Sequence, residues 1–178
     1  MPSAAGEPSL SVVLHQPEIP PNTGNIARTC AATGTRLLLI EPLGFSLDDK
    51  QVRRAGLDYW DQVEVATLPD WPALLALAGS RQLVFATTHA TTRYDELVYE
   101  PGALLVFGSE TRGLPDQLRA AHAATCVRIP MRLPTRGSAS SGRSAGAGSP
   151  GVRSLNLANA VAIVLYEALR QLRPVGIG

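Results

Sequence analysis

The chain has 178 residues, of which 45% are hydrophobic and 17% charged, and this composition is typical of a globular protein with one sizeable core. No apolar run is long enough to cross a bilayer, and the N-terminal stretch lacks the charged and apolar regions of a secretory signal. The formal net charge of +1 excludes a uniformly basic nucleic-acid-binding protein but allows a local basic face. We therefore expect a single cytoplasmic domain over 1–178 with no membrane partner.

Short apolar runs alternate with helical patterns in the first half of the chain. The predicted elements are, in order, a strand over 10–15, a helix over 22–34, a strand over 36–42, a short helix or turn over 48–59 and a short strand over 63–66. Asn22 is expected to cap the first helix and Gly34 to end it.

The second half continues this alternation. The predicted elements are a helix over 70–79, strands over 82–88 and 103–108, a helix over 114–123, a strand over 126–131 and a long helix over 154–173. Asp70 and Ser154 are expected to cap the first and the last of these helices. Continuous apolar strands separated by helices predict an α/β fold with a mainly parallel sheet flanked by helices.

The distribution of charge and the cysteine content indicate which ligands the chain could bind. Six arginines and no acidic residue lie between 117 and 166, which predicts a basic face suited to phosphates. A general preference for arginine is the alternative explanation, because the chain contains a single lysine, Lys50. Cys30 and Cys126 are far apart and lack metal-ligand spacing, so we expect free thiols and no metal site.

Polar residues follow the first strand and begin the last helix, and such positions hold ligand sites in open α/β sheets. Asn25 and Arg28 lie three apart on one side of the first helix, where they would grip phosphate or ribose; a solvated helix face is the alternative. Asn156 and Asn159 also lie three apart, within an apolar helix. We expect them to bond a loop backbone or a ligand, because a buried amide without partners is costly.

The loop "FGSETRGLP" over 107–115 connects a predicted strand to a predicted helix. Gly108 lets a ligand approach the backbone closely, and Glu110 and Arg112 follow it within the loop. The pattern is neither a dinucleotide fingerprint nor a P-loop, so a simple tight turn remains the alternative. The two charged residues between glycines favour ligand binding.

Four segments, "PEIPPNTGNIAR", "FGSETRGLP", "RIPM" and "SLNLANAVAIVLYEA", occur in this order. They resemble the three motifs of the SpoU-type methyltransferases of the SPOUT superfamily. The chain is more closely similar to the compact tRNA 2'-O-ribose methyltransferases of the anticodon wobble position, and "EPLGFSLDDKQVRRAGLDYW" resembles a characteristic segment of that subgroup. The resemblance covers nearly the whole chain, from Leu10 to Pro174.

This resemblance implies properties that composition and periodicity do not give. It implies a C-terminal deep trefoil knot, a homodimer, and S-adenosylmethionine bound in the knot without a metal. The cofactor-binding residues that it implies are Ala86, Thr87, Gly108, Ile129, Met131, Ser154, Leu155 and Asn159. The implied partner is a tRNA anticodon stem-loop, and the implied reaction is methylation of the wobble ribose of cytidine or modified uridine.

The same resemblance assigns roles around the reacting ribose. Asn25 would hold the ribose, and Glu110 would orient Arg28 or a motif backbone. A guanidinium is normally protonated, so we expect Arg28 to orient phosphate or stabilise the developing oxyanion, and to act as the base only where its surroundings favour the neutral form. Candidate RNA contacts are Arg112, Arg153 and Tyr166, the tyrosine by stacking on a base.

The chain departs from the subgroup pattern in one long segment. The subgroup has a short link between "IPM" and the final motif, whereas 132–152 intervenes here and includes a Gly/Ser-rich stretch over 135–151 that we expect to be flexible. It would act as an RNA-binding flap or be a neutral expansion. Ala158 also replaces an expected serine. Alternatives for the function are a 2'-O-methyltransferase of another tRNA or rRNA site, or a non-catalytic RNA-binding protein that keeps the knot.

Overall fold

The computed structural model describes residues 10–47, 62–132 and 153–172. Two predictions, the short helix or turn over 48–59 and the flexible insertion over 135–151, lie outside these residues. The described strands are β1 (Leu10–His15), β2 (Arg36–Ile40), β3 (Val65–Leu68), β4 (Leu83–Ala86), β5 (Ala103–Phe107) and β6 (Cys126–Val127). The described α-helices are α1 (Pro20–Thr33), α2 (Trp71–Ala78), α3 (Asp116–Ala121) and α4 (Leu157–Leu172).

All six described strands form one parallel sheet in the order β3-β2-β1-β5-β4-β6. Strand β1 is central, and its Val13 pairs with Leu38 of β2 on one side and with Val106 of β5 on the other. A strand that is buried on both faces needs apolar residues at successive positions, which explains the unbroken runs in β1, β2 and β5. The predicted α/β fold with a mainly parallel sheet is confirmed.

Each face of the sheet has its own apolar core. Helices α1 and α4 pack together on one face, where Ile26 and Leu165 are fully buried against Val12 of β1. Helix α2 covers the other face, where Leu74 packs with Phe85 of β4. Burial of a side chain of this size contributes about 1.5 to 3 kcal/mol, so these helices are held mainly by packing.

Helix α1 begins earlier than predicted. Its N-cap is Ile19, which offers no capping side chain, and Pro20 and Pro21 occupy the first turn, where a fixed φ suits a helix. Asn22 is therefore not the N-cap, and that prediction is wrong. The predicted C-terminus is confirmed: Gly34 has a φ of 63°, and its N–H donates to the carbonyl of Ala31.

The last helix also has a different cap from the predicted one. Helix α4 begins at Leu157, and the Oδ1 atom of Asn156 accepts the N–H of Ala158 at 2.9 Å and that of Asn159 at 3.4 Å. Asn156 rather than Ser154 is the cap, so the prediction of Ser154 is wrong. Asparagine and serine are equally good caps, and local sequence alone does not separate them.

All the strands except β1 differ from the predicted bounds at one or both ends, and β3 and β6 are examples. Strand β3 begins at Val65, two residues later than predicted. Strand β6 ends at Val127. Beyond it, Arg128 makes only an isolated bridge with Arg93, which lies in the connection that follows β4. In the described ranges no helix combines the length and apolarity needed to cross a membrane.

The cap of α2 gives a first test. Asp70 accepts the N–H of Ala73 at 2.9 Å, as the sequence predicts. Replacing it in Asp70→Ala removes this acceptor and should lower the free energy of unfolding by about 1 kcal/mol, measured by urea denaturation. Asp70→Asn keeps an acceptor and should retain most of the stability. Equal losses in the two variants would show that the cap contributes nothing.

Candidate functional site

A cavity of about 790 Å³ lies at the C-terminal ends of β4, β5 and β6, beside the start of α4. This is the edge at which parallel α/β sheets bind ligands, and the volume falls in the range of roughly 300 to 1,000 Å³ found for small-molecule sites. Seven of the eight residues predicted to bind a cofactor line it: Ala86, Thr87, Gly108, Ile129, Met131, Ser154 and Leu155. Four segments distant in sequence therefore meet at one site.

Other predicted site residues divide between the cavity and the surface. Glu110, Arg112 and Arg153 line the cavity. Asn25, Arg28, Asn159 and Tyr166 are absent from the described lining and are exposed on the adjoining helices α1 and α4, with Tyr166 52% exposed. Asn156 bonds the side chain of Asn22 and the backbone N–H of Ala158, whereas the role expected of the exposed Asn159 stays a prediction.

Gly108 is needed because the loop after β5 folds back over it. A Cβ atom at this position would lie 2.1 Å from the carbonyl carbon of Gly113, far inside contact distance. The fold-back is closed by the N–H of Gly113, which donates to the carbonyl of Ser109 at 2.9 Å, and Gly113 itself has a φ of 67°. The glycines thus allow a tight loop whose backbone forms a wall of the cavity.

Glu110 binds the N-terminus of α1. Its carboxylate accepts the N–H of Glu18 at 2.8 Å, the N–H of Ile19 at 3.2 Å and the Nδ2 group of Asn22 at 3.0 Å. The N-terminus of a helix carries partial positive charge and unpaired N–H groups, so a carboxylate there is stabilising. Glu110 therefore holds the backbone that leads into α1, where Ile19 offers no capping side chain. Of the two predicted roles for Glu110, the contacts match the orientation of a motif backbone.

A second carboxylate makes the reverse connection. Glu18 accepts the N–H of Thr111 at 3.1 Å and its hydroxyl at 2.7 Å, and Arg112 approaches Glu18 at 3.8 Å. The loops after β1 and β5 are thereby joined by two carboxylates that cross between them. Sequence reasoning missed Glu18. Its position directly before Ile-Pro-Pro, where a capping side chain is absent, was the available signal.

Asn22 extends this connection to the last helix. Its Oδ1 atom accepts the Nδ2 group of Asn156 at 2.9 Å, and its own Nδ2 group donates to Glu110. Asn22 is 6% exposed, so both halves of its amide are paired in a nearly dry site. Glu110, Asn22 and Asn156, here named the carboxylate–amide chain, therefore link the three sequence motifs through side chains.

The sharp turn after β1 is stabilised from a second direction. Gln16 has a φ of 53°, and its N–H donates to the carbonyl of Ile40 at 3.0 Å, which redirects the chain at the strand end. Gly44 packs against this turn, since a Cβ there would lie 2.9 Å from the Cα of Glu18.

Burial, and secondarily the charge of Arg112, lowers the pKa of His15.

The lining of the cavity fits an organic ligand with apolar and anionic parts. It combines apolar side chains of Phe107, Leu114, Ile129, Leu155 and Leu157 with the arginines Arg112, Arg119 and Arg153. The acidic residue of the described lining, Glu110, already accepts three N–H donors. The described residues contain no cluster of metal-ligating side chains.

Both cysteines are free and buried, and burial raises the pKa of the Cys30 thiol to about 12, which disfavours the thiolate.

Comparison with known proteins identifies relatives of this chain. The model of the SpoU rRNA methylase family matches residues 9–137. A tRNA (cytidine(34)-2'-O)-methyltransferase of Escherichia coli (strain K12) is 46% identical over 164 residues, which cover 92% of this chain and 94% of the relative. A protein of the same name from Methylovorus glucosotrophus is 45% identical over 161 residues, covering 90% and 94%.

Solved structures show the same fold. One, concerned with 2-OH methylation of C/U34 on tRNA, matches with a TM-score of 0.81 and 39% identity over 94% of this chain and 99% of that chain. The SpoU methyltransferase AviRb from Streptomyces viridochromogenes, solved in complex with the cofactor AdoMet, matches with a TM-score of 0.74 and 26% identity. The match covers 95% of this chain and 60% of AviRb.

The carboxylate–amide chain predicts energetic coupling between α1 and α4. In a double-mutant cycle with Asn22→Ala and Asn156→Ala, the effects on the free energy of unfolding should depart from additivity by roughly 0.5 to 1.5 kcal/mol, because the two amides bond each other. Asn156 with Gln82, which lies at the opposite end of the sheet, forms the control pair and should be additive within about 0.5 kcal/mol. Additivity of the first pair would contradict the coupling.

Proposed function

The chain belongs to the SpoU rRNA methylase family, and from that membership we propose that it methylates the ribose 2'-hydroxyl of the wobble nucleotide, position 34, in tRNA. The nucleotide is cytidine or a modified uridine, and the methyl donor is S-adenosylmethionine. The observation that carries the proposal is the convergence of the three motifs on one cavity by the carboxylate–amide chain. The relatives named tRNA (cytidine(34)-2'-O)-methyltransferase, which match almost end to end, support the position.

The cavity suits this cofactor. When bound, S-adenosylmethionine would supply a methyl group already activated on a sulfonium sulfur, so the transfer needs no metal. In-line attack of the ribose 2'-oxygen would form the O–CH3 bond as the S–CH3 bond breaks, leaving S-adenosylhomocysteine and releasing the hydroxyl proton. The backbone at Ala86, Thr87 and Gly108 and the segment from Ile129 to Met131 would hold it, with Ser154 and Leu155 closing the site. Strand ends that offer backbone groups beside apolar side chains are suited to an adenine ring.

The roles of the polar residues follow from their positions. Glu110 is a positioning residue, since its carboxylate is fully engaged with the start of α1. Arg112 and Arg153 line the cavity and would bind RNA phosphates as planar guanidinium groups do. Asn25 would hold the ribose, and Arg28 would orient phosphate or stabilise the negative charge that develops on the oxygen.

A homodimer would bring these two groups of residues together. The exposed faces of α1 and α4 adjoin, and they carry Asn25, Arg28, Asn159 and Tyr166 outside the cavity of their own chain. Pairing of two copies through this face would place the Arg28 side of one chain near the cavity of the other. Tyr166 would then stack on a base at the edge of the dimer.

The family's deep trefoil knot and a cytoplasmic location complete the proposal. In support of the knot, the chain returns after β6 to the same strand ends: residues 153–157 lie against the cavity and α4 then packs beside α1. A cytoplasmic location follows from the substrate, since tRNA is modified where it is made and used.

The substrate assignment is tested by mapping the methyl group. Purified protein, labelled S-adenosylmethionine and total tRNA lacking wobble 2'-O-methyl groups should give one labelled ribose at position 34, located by nuclease digestion and mass spectrometry. Label at another tRNA position, or only in ribosomal RNA, would show that the protein is a 2'-O-methyltransferase with a different RNA substrate. Cofactor binding with no label in any RNA would identify a non-catalytic binding protein.

The role of Arg28 is tested separately. In Arg28→Ala the transfer rate should fall by at least about 100-fold, because a group that stabilises the developing oxyanion is lost, while the calorimetric Kd for S-adenosylmethionine stays close to that of the parent. Arg36→Ala is the matched control: it removes an arginine from a surface ion pair with Glu64, 2.8 Å apart, and should leave the rate unchanged. A loss of cofactor affinity as large as the loss of rate would assign Arg28 to cofactor binding instead.

A further inference from the structure

The connection between β4 and β5 contacts both the cavity and the far end of α4. Near the cavity, the N–H of Tyr94 donates to the carbonyl of Arg128 at 2.9 Å, and the N–H of Arg128 donates to the carbonyl of Thr92 at 2.9 Å. Arg128 lies between Val127 and Ile129, both of which line the cavity. The backbone of this wall is thus fixed by the connection over 92–94.

Tyr99 joins this part of the connection to the rest of it. Its side chain is 3% exposed and packs in the core beneath α4, and its hydroxyl donates to the carbonyl of Tyr94 at 2.7 Å. Burial raises the pKa of Tyr99, so the hydroxyl keeps its proton and remains a donor. The Tyr99 hydroxyl therefore helps to position Tyr94, whose own N–H bonds the carbonyl of Arg128.

Helix α4 holds Tyr99 in turn. The Oε1 atom of Gln171 accepts the N–H of Tyr99 at 3.1 Å, and its Nε2 group donates to the carbonyl of Leu97 at 3.0 Å and to Glu167 at 2.8 Å. Glu167 is fixed by Arg170 through two hydrogen bonds of 2.8 Å. The side chains that hold the connection are thus themselves ordered by neighbours one helical turn apart.

We propose that Tyr99, held by Gln171, is a positioning residue for the cofactor site: it sets the backbone at 127–131 through the hydrogen bonds of Tyr94 and Arg128. This inference rests on the proposed function, because it takes the cavity to be the S-adenosylmethionine site. It adds a role for residues that contact neither the cofactor nor the reacting atoms.

Gln82 supplies a matched control on the same connection. Its Nε2 group donates to the carbonyl of Val98 at 2.9 Å, and its Oε1 atom accepts the N–H of Glu100 at 3.0 Å. Gln82 therefore makes one hydrogen bond on each side of Tyr99 and does not contact the Tyr99 hydroxyl. Loss of these bonds weakens the connection but leaves the path from Tyr99 to Arg128 in place.

The test compares Tyr99→Phe, Gln171→Met and Gln82→Met in the full-length protein. Tyr99→Phe keeps the ring and removes only the hydroxyl, so the Kd for S-adenosylmethionine, measured by calorimetry, should rise about tenfold, as for loss of one well-ordered hydrogen bond in a binding wall. Gln171→Met should give a smaller rise. The KM for the cofactor should rise with the Kd, whereas kcat at saturating cofactor should stay near the parent value.

Amide hydrogen exchange of the cofactor-free protein provides a readout independent of activity. In Tyr99→Phe, peptides covering 92–94 and 126–131 should exchange faster than in the parent, and in Gln82→Met only peptides around 97–100 should do so. An unchanged Kd in Tyr99→Phe, or an equal rise in Gln82→Met, would overturn the inference. Failure of the parent protein itself to bind S-adenosylmethionine would instead overturn the proposed function.

Discussion

The site depends on one carboxylate that holds the start of a helix from another part of the chain. Helix α1 begins with two prolines, which carry no N–H, and its N-cap Ile19 has no side chain that could fix the turn leading into the helix. Glu110, about ninety residues away, accepts the N–H groups of Glu18 and Ile19, which directly precede the helix, and the side-chain amide of Asn22. The loop that carries Glu110 folds over Gly108, so the wall of the cavity and the support for the turn into the helix are one structure.

Asn22 makes this arrangement cooperative. Its amide has one donor side and one acceptor side, and it uses the first on Glu110 and the second on Asn156. Asn156 in turn caps α4 with its own oxygen. Each group in the series orients the next, and because Asn22 is buried, the loss of Glu110 or Asn156 would leave one half of its amide unpaired. Such a series specifies one relative placement of the three motifs. Apolar packing alone is less directional and would allow α1 and α4 to shift against each other.

The sequence predicted the elements better than it predicted their ends. Apolar runs such as those of β1 and β5 identify strands because a sheet covered on both faces has no polar side, and Asp70 and Gly34 identify helix ends because their partners lie within one turn. The predictions for Asn22 and Ser154 failed because the true caps depend on residues far along the chain or on a choice between two equivalent capping residues. The seven cavity residues, by contrast, were reached through family resemblance, since no local pattern brings strand ends together. The crossed contacts of Glu18 are long-range and left only a weak local signal.

The two sides of α1 have separate tasks, and helix geometry explains why a single short motif can serve both. With 3.6 residues per turn, Arg28 lies about 240° around the helix axis from Asn22, so the two side chains point in different directions. Asn22 lines the cavity and fixes the helix, while Arg28 is exposed on another side of α1. A residue that must stay rigid, such as Asn22, needs to be buried, whereas one that must reach a large substrate, such as Arg28, needs to be exposed. Placing them on one helix lets the buried side supply the precision with which the exposed side is presented, because any rotation of α1 would break the bonds to Glu110 and Asn156.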